Sequence, residues 1–102
     1  SATGAILMRR EAVLATLRSH KDDLMAKYGV IRIGIFGSTA WDEATGHSDI
    51  DIVVEMPPDA YQMVHMKDEL EELLVSPVDL IRYHRNLNPL LRTRIDRDVI
   101  YV

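Results

Sequence analysis

A chain of 102 residues, 47% hydrophobic and 27% charged with a formal net charge of −4, is long enough for one domain and one modest core and too short for a second substrate-binding lobe. The absence of cysteine excludes a disulfide framework, a thiolate zinc site and a thiol nucleophile, and with no secretory signal or run of roughly 18 apolar residues a reducing cytoplasm is the expected compartment and no membrane partner is expected. Twelve Lys and Arg against sixteen Asp and Glu provide no basic excess for neutralising a phosphate backbone, so direct nucleic-acid binding is not expected.

The charge is uneven. Between Asp42 and Asp79 eleven acids face the single base Lys67, after which Arg82, Arg85, Arg92, Arg94 and Arg97 follow. An acidic middle that holds a functional site calls for a cation.

In chain order, residues 1–7 carry no pattern and read as a disordered leader or an expression remnant, leaving 8–102 as the domain. From Met8 to Tyr28, Val13, Leu14, Leu17, Leu24, Met25 and Tyr28 recur at helical spacing, and Gly29 supplies the left-handed stop. Val30 to Phe36 is β-branched and apolar apart from Arg32 and Gly34 and reads as a strand. The pattern breaks at Gly37-Ser38, and Thr39 to Ala44 is a short helix closed by Gly46.

Asp49 to Glu55 is a second strand, antiparallel to the first, with Ile50, Ile52 and Val54 on one face and Asp49, Asp51 and Val53 on the other. Pro57-Pro58 ends it, and Asp59 with Gln62 opens a helix to about Val75 whose inner stripe is Met63, Met66, Leu70, Leu73 and Leu74. Val78-Asp79-Leu80-Ile81 is a third strand. Asn88-Pro89 caps a helix that buries Leu90, Leu91 and Ile95, and Val99 to Val102 is a last short strand. The order predicts an α/β (α+β) domain, a small mixed sheet with helices packed on it.

Three features converge on chemistry. Gly37-Ser38 lies where a strand turns into a helix and backbone N–H groups are free for an anion, with the glycine allowing close approach and the serine adding a hydroxyl. Asp49 and Asp51, two apart on a strand, point the same way about 6.5–7 Å apart at about 3.3 Å per residue, and aspartate is disfavoured in strands without a reason. Asp79, between Val78 and Leu80, is expected near the core, where a carboxylate is costly unless paired or metal-bound. Three acids beside a phosphate cradle are the parts for Mg²⁺-dependent chemistry on a nucleoside triphosphate, since like charges so close need a divalent ion between them.

Gly37-Ser38-Thr39-Ala40, with Ser48 of Ser48-Asp49-Ile50-Asp51-Ile52-Val53-Val54 ten positions after Ser38, resembles the Gly-Ser and Asp-x-Asp signature of the polymerase-β-like nucleotidyltransferases, and the small size resembles their minimal (MNT) branch, whose members pair with HEPN-domain proteins as antitoxin and toxin. The resemblance implies the polymerase-β-like fold, two Mg²⁺ ions on Asp49, Asp51 and Asp79, and nucleotide binding by Gly37, Ser38 and Ser48. It further implies in-line attack on the α-phosphorus of ATP, with Asp79 helping to deprotonate the acceptor. As MNT antitoxins do, the chain would transfer AMP to a hydroxyl, a tyrosine, of a HEPN RNase toxin. One departure is that many minimal members read Ala-Arg-Gly-Glu where this chain reads Ala40-Trp41-Asp42-Glu43, so a base able to offset triphosphate charge is missing and an acid is added.

A second reading is an antitoxin of the same fold that acts by contact alone, with Trp41 and the arginines from Arg82 to Arg97 as its surface. Retention of Gly37, Ser38, Asp49, Asp51 and Asp79 argues against decay. An Asp-x-Asp phosphohydrolase wants its nucleophile after the apolar strand rather than before it, and antibiotic-modifying or nucleic-acid-extending transferases append an acceptor domain. His20, His47, His65 and His84 match no zinc spacing, although His47 adjoins the motif. Nucleotide preference and homo-oligomeric state are not readable from the sequence.

Overall fold

The computed structural model describes residues 9–41 and 49–102. The leader at 1–7 and the end of the short helix, with Asp42, Glu43, Gly46, His47 and Ser48, lie outside the described residues. The elements are α1 (Arg9–Tyr28), β1 (Arg32–Ile35), α2 (Gly37–Ala40), β2 (Ile50–Glu55), α3 (Ala60–Leu74), β3 (Val78–Arg82), α4 (Pro89–Asp98) and β4 (Ile100–Tyr101).

Each boundary has a local cause. Gly29 sits at φ +69° and its N–H closes α1 on the Met25 carbonyl at 3.0 Å. The Asp59 side chain accepts from the Gln62 N–H at 3.1 Å, and the Asn88 side chain accepts from the Leu90 and Leu91 N–H groups at 2.9 and 3.3 Å, with Pro89 at the position where a missing N–H costs nothing. Helix α3 ends on Val75 at φ 52°, a left-handed cap on a β-branched residue that no glycine signal announces.

The described strands form one sheet in the order β3-β2-β1-β4. β1 runs antiparallel to β2 and β4, as its short connection to β2 demands, whereas β2 and β3 are parallel because α3 crosses between them. Alternation along the strands then separates two faces. Ile33, Ile35, Ile50, Ile52 and Val54 join Val13, Leu14, Leu17 and Leu24 of α1 and Met66 and Leu70 of α3 in the main core. Val53 points the other way and packs with Phe36 and Ile95 under α4.

Two sequence expectations are corrected here. Leu90 is 78% exposed rather than buried. The inward line of α4 runs Leu91, Ile95, Asp98 at helical spacing, and a residue one position earlier is turned by about 100° away from it. Helix α2 spans Gly37–Ala40, beginning two residues before the expected Thr39, because the turn at Gly37 is itself helical.

Candidate active site

Asp51 and Asp79 are direct partners in the β2–β3 register, so the parallel pairing places both carboxylates on the α4 face of the sheet, side by side. Asp51 is half-buried. Burial pushes its carboxyl above the usual aspartate range and the charge of Asp79 pushes it further, while hydrogen bonds from Ser38 and the charge of Arg94 pull it down. Asp79 is exposed. The expectation that it sits near the core is therefore wrong: β3 is an edge strand, and Val78 is its one buried residue while Asp79 stays exposed. Asp49, also exposed, lies one residue ahead of β2.

The turn after β1 closes against Asp51. Gly37 has φ +58°, and a Cβ built there would stand 2.7 Å from Asp51 Oδ2. The glycine thus makes room for the carboxylate. The Ser38 hydroxyl donates to Asp51 Oδ2 at 3.3 Å, and the Ser38 backbone N–H also serves this carboxylate. Thr39, 1% exposed, accepts the Asp51 backbone N–H on its Oγ1 at 2.9 Å, and the Phe36 N–H donates to the Asp51 carbonyl at 3.1 Å. Thr39 was missed by sequence reasoning, because a threonine inside a small-residue turn gives no sign of which strand it will meet.

Beside this turn opens a cavity of about 400 Å³ lined by Gly37, Ser38, Trp41, Arg94, Arg97 and Asp98. The arginines arrive on α4, which packs on this face. Arg97 Nε and Nη2 donate to the two Asp98 oxygens at 2.8 and 3.0 Å. These bonds, with the Trp41 indole assisting, hold the Asp98 carboxyl below the ordinary aspartate range. A folded-state value below the unfolded one means the contribution to stability is complete above the ordinary range and is lost as pH falls through the folded value. Asp98→Asn is therefore expected to lower the melting temperature at neutral pH, the gap to the parent closing as pH falls below the ordinary aspartate range, as followed by circular-dichroism melts.

The sequence-derived residues are thus brought together in part. Gly37, Ser38, Asp51 and Asp79 form one cluster, and Ser48 lies outside the described residues. Among the described residues no three His, Asp or Glu side chains gather tightly enough to hold a metal ion. The donor chemistry nevertheless fits a hard divalent cation: two oxygen donors in register, one of them half-buried and raised by the other's charge, are relieved by a cation between them.

A family model for the nucleotidyltransferase domain matches residues 17–101, which span every element named here from the middle of α1 onward. The chain belongs to the nucleotidyltransferase family. Among the relatives of this nucleotidyltransferase, a Methanocaldococcus jannaschii protein provisionally named a protein adenylyltransferase is 44% identical over 88 residues, covering 84% of this chain and 90% of the relative. The protein adenylyltransferase MntA of Thermococcus cleftensis is 33% identical over 98 residues, 94% of this chain and 98% of the relative. A solved structure described as a minimal nucleotidyltransferase superposes with TM-score 0.68 at 34% identity, over 85% of this chain and 93% of the other. An MNT antitoxin bound to the tri-AMPylated HEPN toxin of Shewanella oneidensis shares the fold, with TM-score 0.59 at 22% identity over 94% of this chain and 70% of the other. The expected fold and the expected enzyme class are both borne out. Among the described residues no helix is long and apolar enough to cross a membrane.

Proposed function

We propose that this nucleotidyltransferase transfers AMP from ATP to a hydroxyl, a tyrosine, of a HEPN-type RNase toxin and thereby acts as its antitoxin. The observation that carries the reading is the Gly37-Ser38 turn closed on Asp51, with Asp79 in register beside it and an open cavity next to the turn. The names of the similar proteins, protein adenylyltransferases and an MNT antitoxin with an AMPylated toxin, support the acceptor class.

Asp51 and Asp79, with Asp49 two residues before Asp51, are the residues that would hold Mg²⁺, which supplies charge neutralisation and Lewis-acid polarisation of the phosphates when bound. In the transfer itself the acceptor oxygen attacks the α-phosphorus in line, the bond to the β-phosphate oxygen breaks, and pyrophosphate leaves. The hydroxyl proton passes to the Asp79 carboxylate, whose exposure leaves it open to a partner's side chain. Ser38, at the mouth of the cavity, holds the Asp51 carboxylate through its hydroxyl and N–H, and the rigid β2 strand fixes the reacting geometry.

The test incubates the protein and its HEPN partner with labelled ATP and Mg²⁺. Label on the partner, lost with Asp49→Asn or Asp51→Asn, is expected. Tight neutralising binding without any transfer would establish the contact-only antitoxin instead.

A further inference from the structure

An anion as highly charged as a triphosphate needs fixed positive charge, and this site is short of it in two places. Position 41 is a tryptophan, and α2, with four residues, carries no base and is too short to offer a developed dipole. Both donors of Ser38 are turned to the Asp51 carboxylate. Along the wall of the cavity, Arg97 is committed to Asp98 through two hydrogen bonds. Arg94, one helical turn earlier, lines the same cavity and is exposed, and none of its contacts among the described residues is a hydrogen bond or an ion pair. It is close enough to the carboxylates for its charge to be felt at both Asp51 and Asp98.

We infer that Arg94 is the triphosphate-gripping residue of this enzyme, a guanidinium delivered by α4 in place of a base in the turn after β1. A planar fork of N–H donors matches phosphate oxygens and binds two of them at once. The Arg97–Asp98 pair beside it, tied to the Trp41 indole, keeps the neighbouring acid neutralised, so that an incoming polyphosphate meets Arg94 without facing a bare carboxylate. The inference rests on the proposed nucleotide chemistry of the site, and it adds a residue outside the Gly-Ser and Asp-x-Asp motifs.

Trp41 is the sole tryptophan of the chain, lines the cavity and is 59% exposed, so its fluorescence reports occupancy directly. The full-length protein is titrated with ATP, AMP and inorganic tripolyphosphate at fixed ionic strength, alongside Arg94→Ala, Arg94→Gln and the exposed-loop control Arg85→Ala. Loss of charge-assisted bonds to phosphate is expected to weaken ATP and tripolyphosphate about tenfold or more in both Arg94 variants and to leave AMP little changed, with Arg85→Ala close to the parent. In the transfer assay the KM for ATP rises while that for the protein acceptor does not. Arg94→Gln keeps the aliphatic stem and guards against a packing effect of the alanine. Unchanged ATP affinity in folded Arg94 variants overturns the inference and leaves the proposed function standing, as does an effect confined to the acceptor KM. A parent protein that binds neither ATP nor tripolyphosphate overturns both.

Discussion

Asp51→Asn is expected to remove nucleotidyl transfer and, at the same time, to raise the melting temperature of the protein. The loss follows from taking away a charged oxygen donor at the reacting phosphate, an effect worth several kcal/mol and so about three orders of magnitude in rate. The gain in stability has the opposite origin. The fold half-buries this carboxylate against Asp79, which raises its pKa above the value of an unfolded aspartate. A raised folded-state value means the fold is most stable while the group is protonated, and that stability is lost as pH rises through the folded value. An uncharged isostere escapes the penalty, so the variant's advantage is largest at neutral pH and fades in acid. In a domain of about a hundred residues each kcal/mol relieved corresponds to roughly 4–8 °C, so differential scanning fluorimetry at two pH values detects it. Added Mg²⁺ is expected to stabilise the parent and not the variant. A variant that melts lower than the parent at neutral pH would show that Asp51 is a structural residue rather than a strained functional one.

The second large effect is at Gly37. Gly37→Ala is expected to cut transfer by about two orders of magnitude or more, because displacing a reacting group by about an ångström is enough for that. The φ of +58° penalises any side chain, and the new Cβ would stand 2.7 Å from Asp51 Oδ2, so the carboxylate has to move off the Ser38 hydroxyl. Steady-state kinetics should show the damage mainly in kcat, since the cavity wall formed by α4 is untouched. Parent-like turnover would mean that Asp51 works from a different position.

Which parts of this design were legible beforehand follows from the range of the interactions. The element order, the caps at Asp59 and Asn88 and the antiparallel β1–β2 pair depend on residues close in sequence, and periodicity with turn chemistry reveals them. The Gly37-Ser38 and Asp49-Ile50-Asp51 motifs were legible because aspartates opening an apolar strand contradict strand propensity. What escaped was long-range. Asp79 was expected near the core because its neighbours are apolar, yet the edge position of β3 exposes it. The arginines of α4 looked like a partner surface, and only the packing of Ile95 on Phe36 and Val53 swings Arg94 and Arg97 to the turn after β1. The base missing beside Ala40 was sought locally, whereas the arginines that line the cavity come from the far end of the chain.

The crossover through α3 carries a consequence for how the protein comes into being. Asp51 and Asp79 become neighbours only when β2 and β3 pair in parallel with the whole of α3 between them, a contact of high sequence separation whose loop-closure entropy is met late. Arg94 joins later still along the chain, on a helix that follows β3. A nascent or partly folded chain, even with its β1–β2 hairpin formed, therefore has not yet brought Asp51 and Asp79 together. Activity appears with the last tertiary contacts, so recovery of transfer during refolding should lag the return of helical signal and can serve as the readout of native topology.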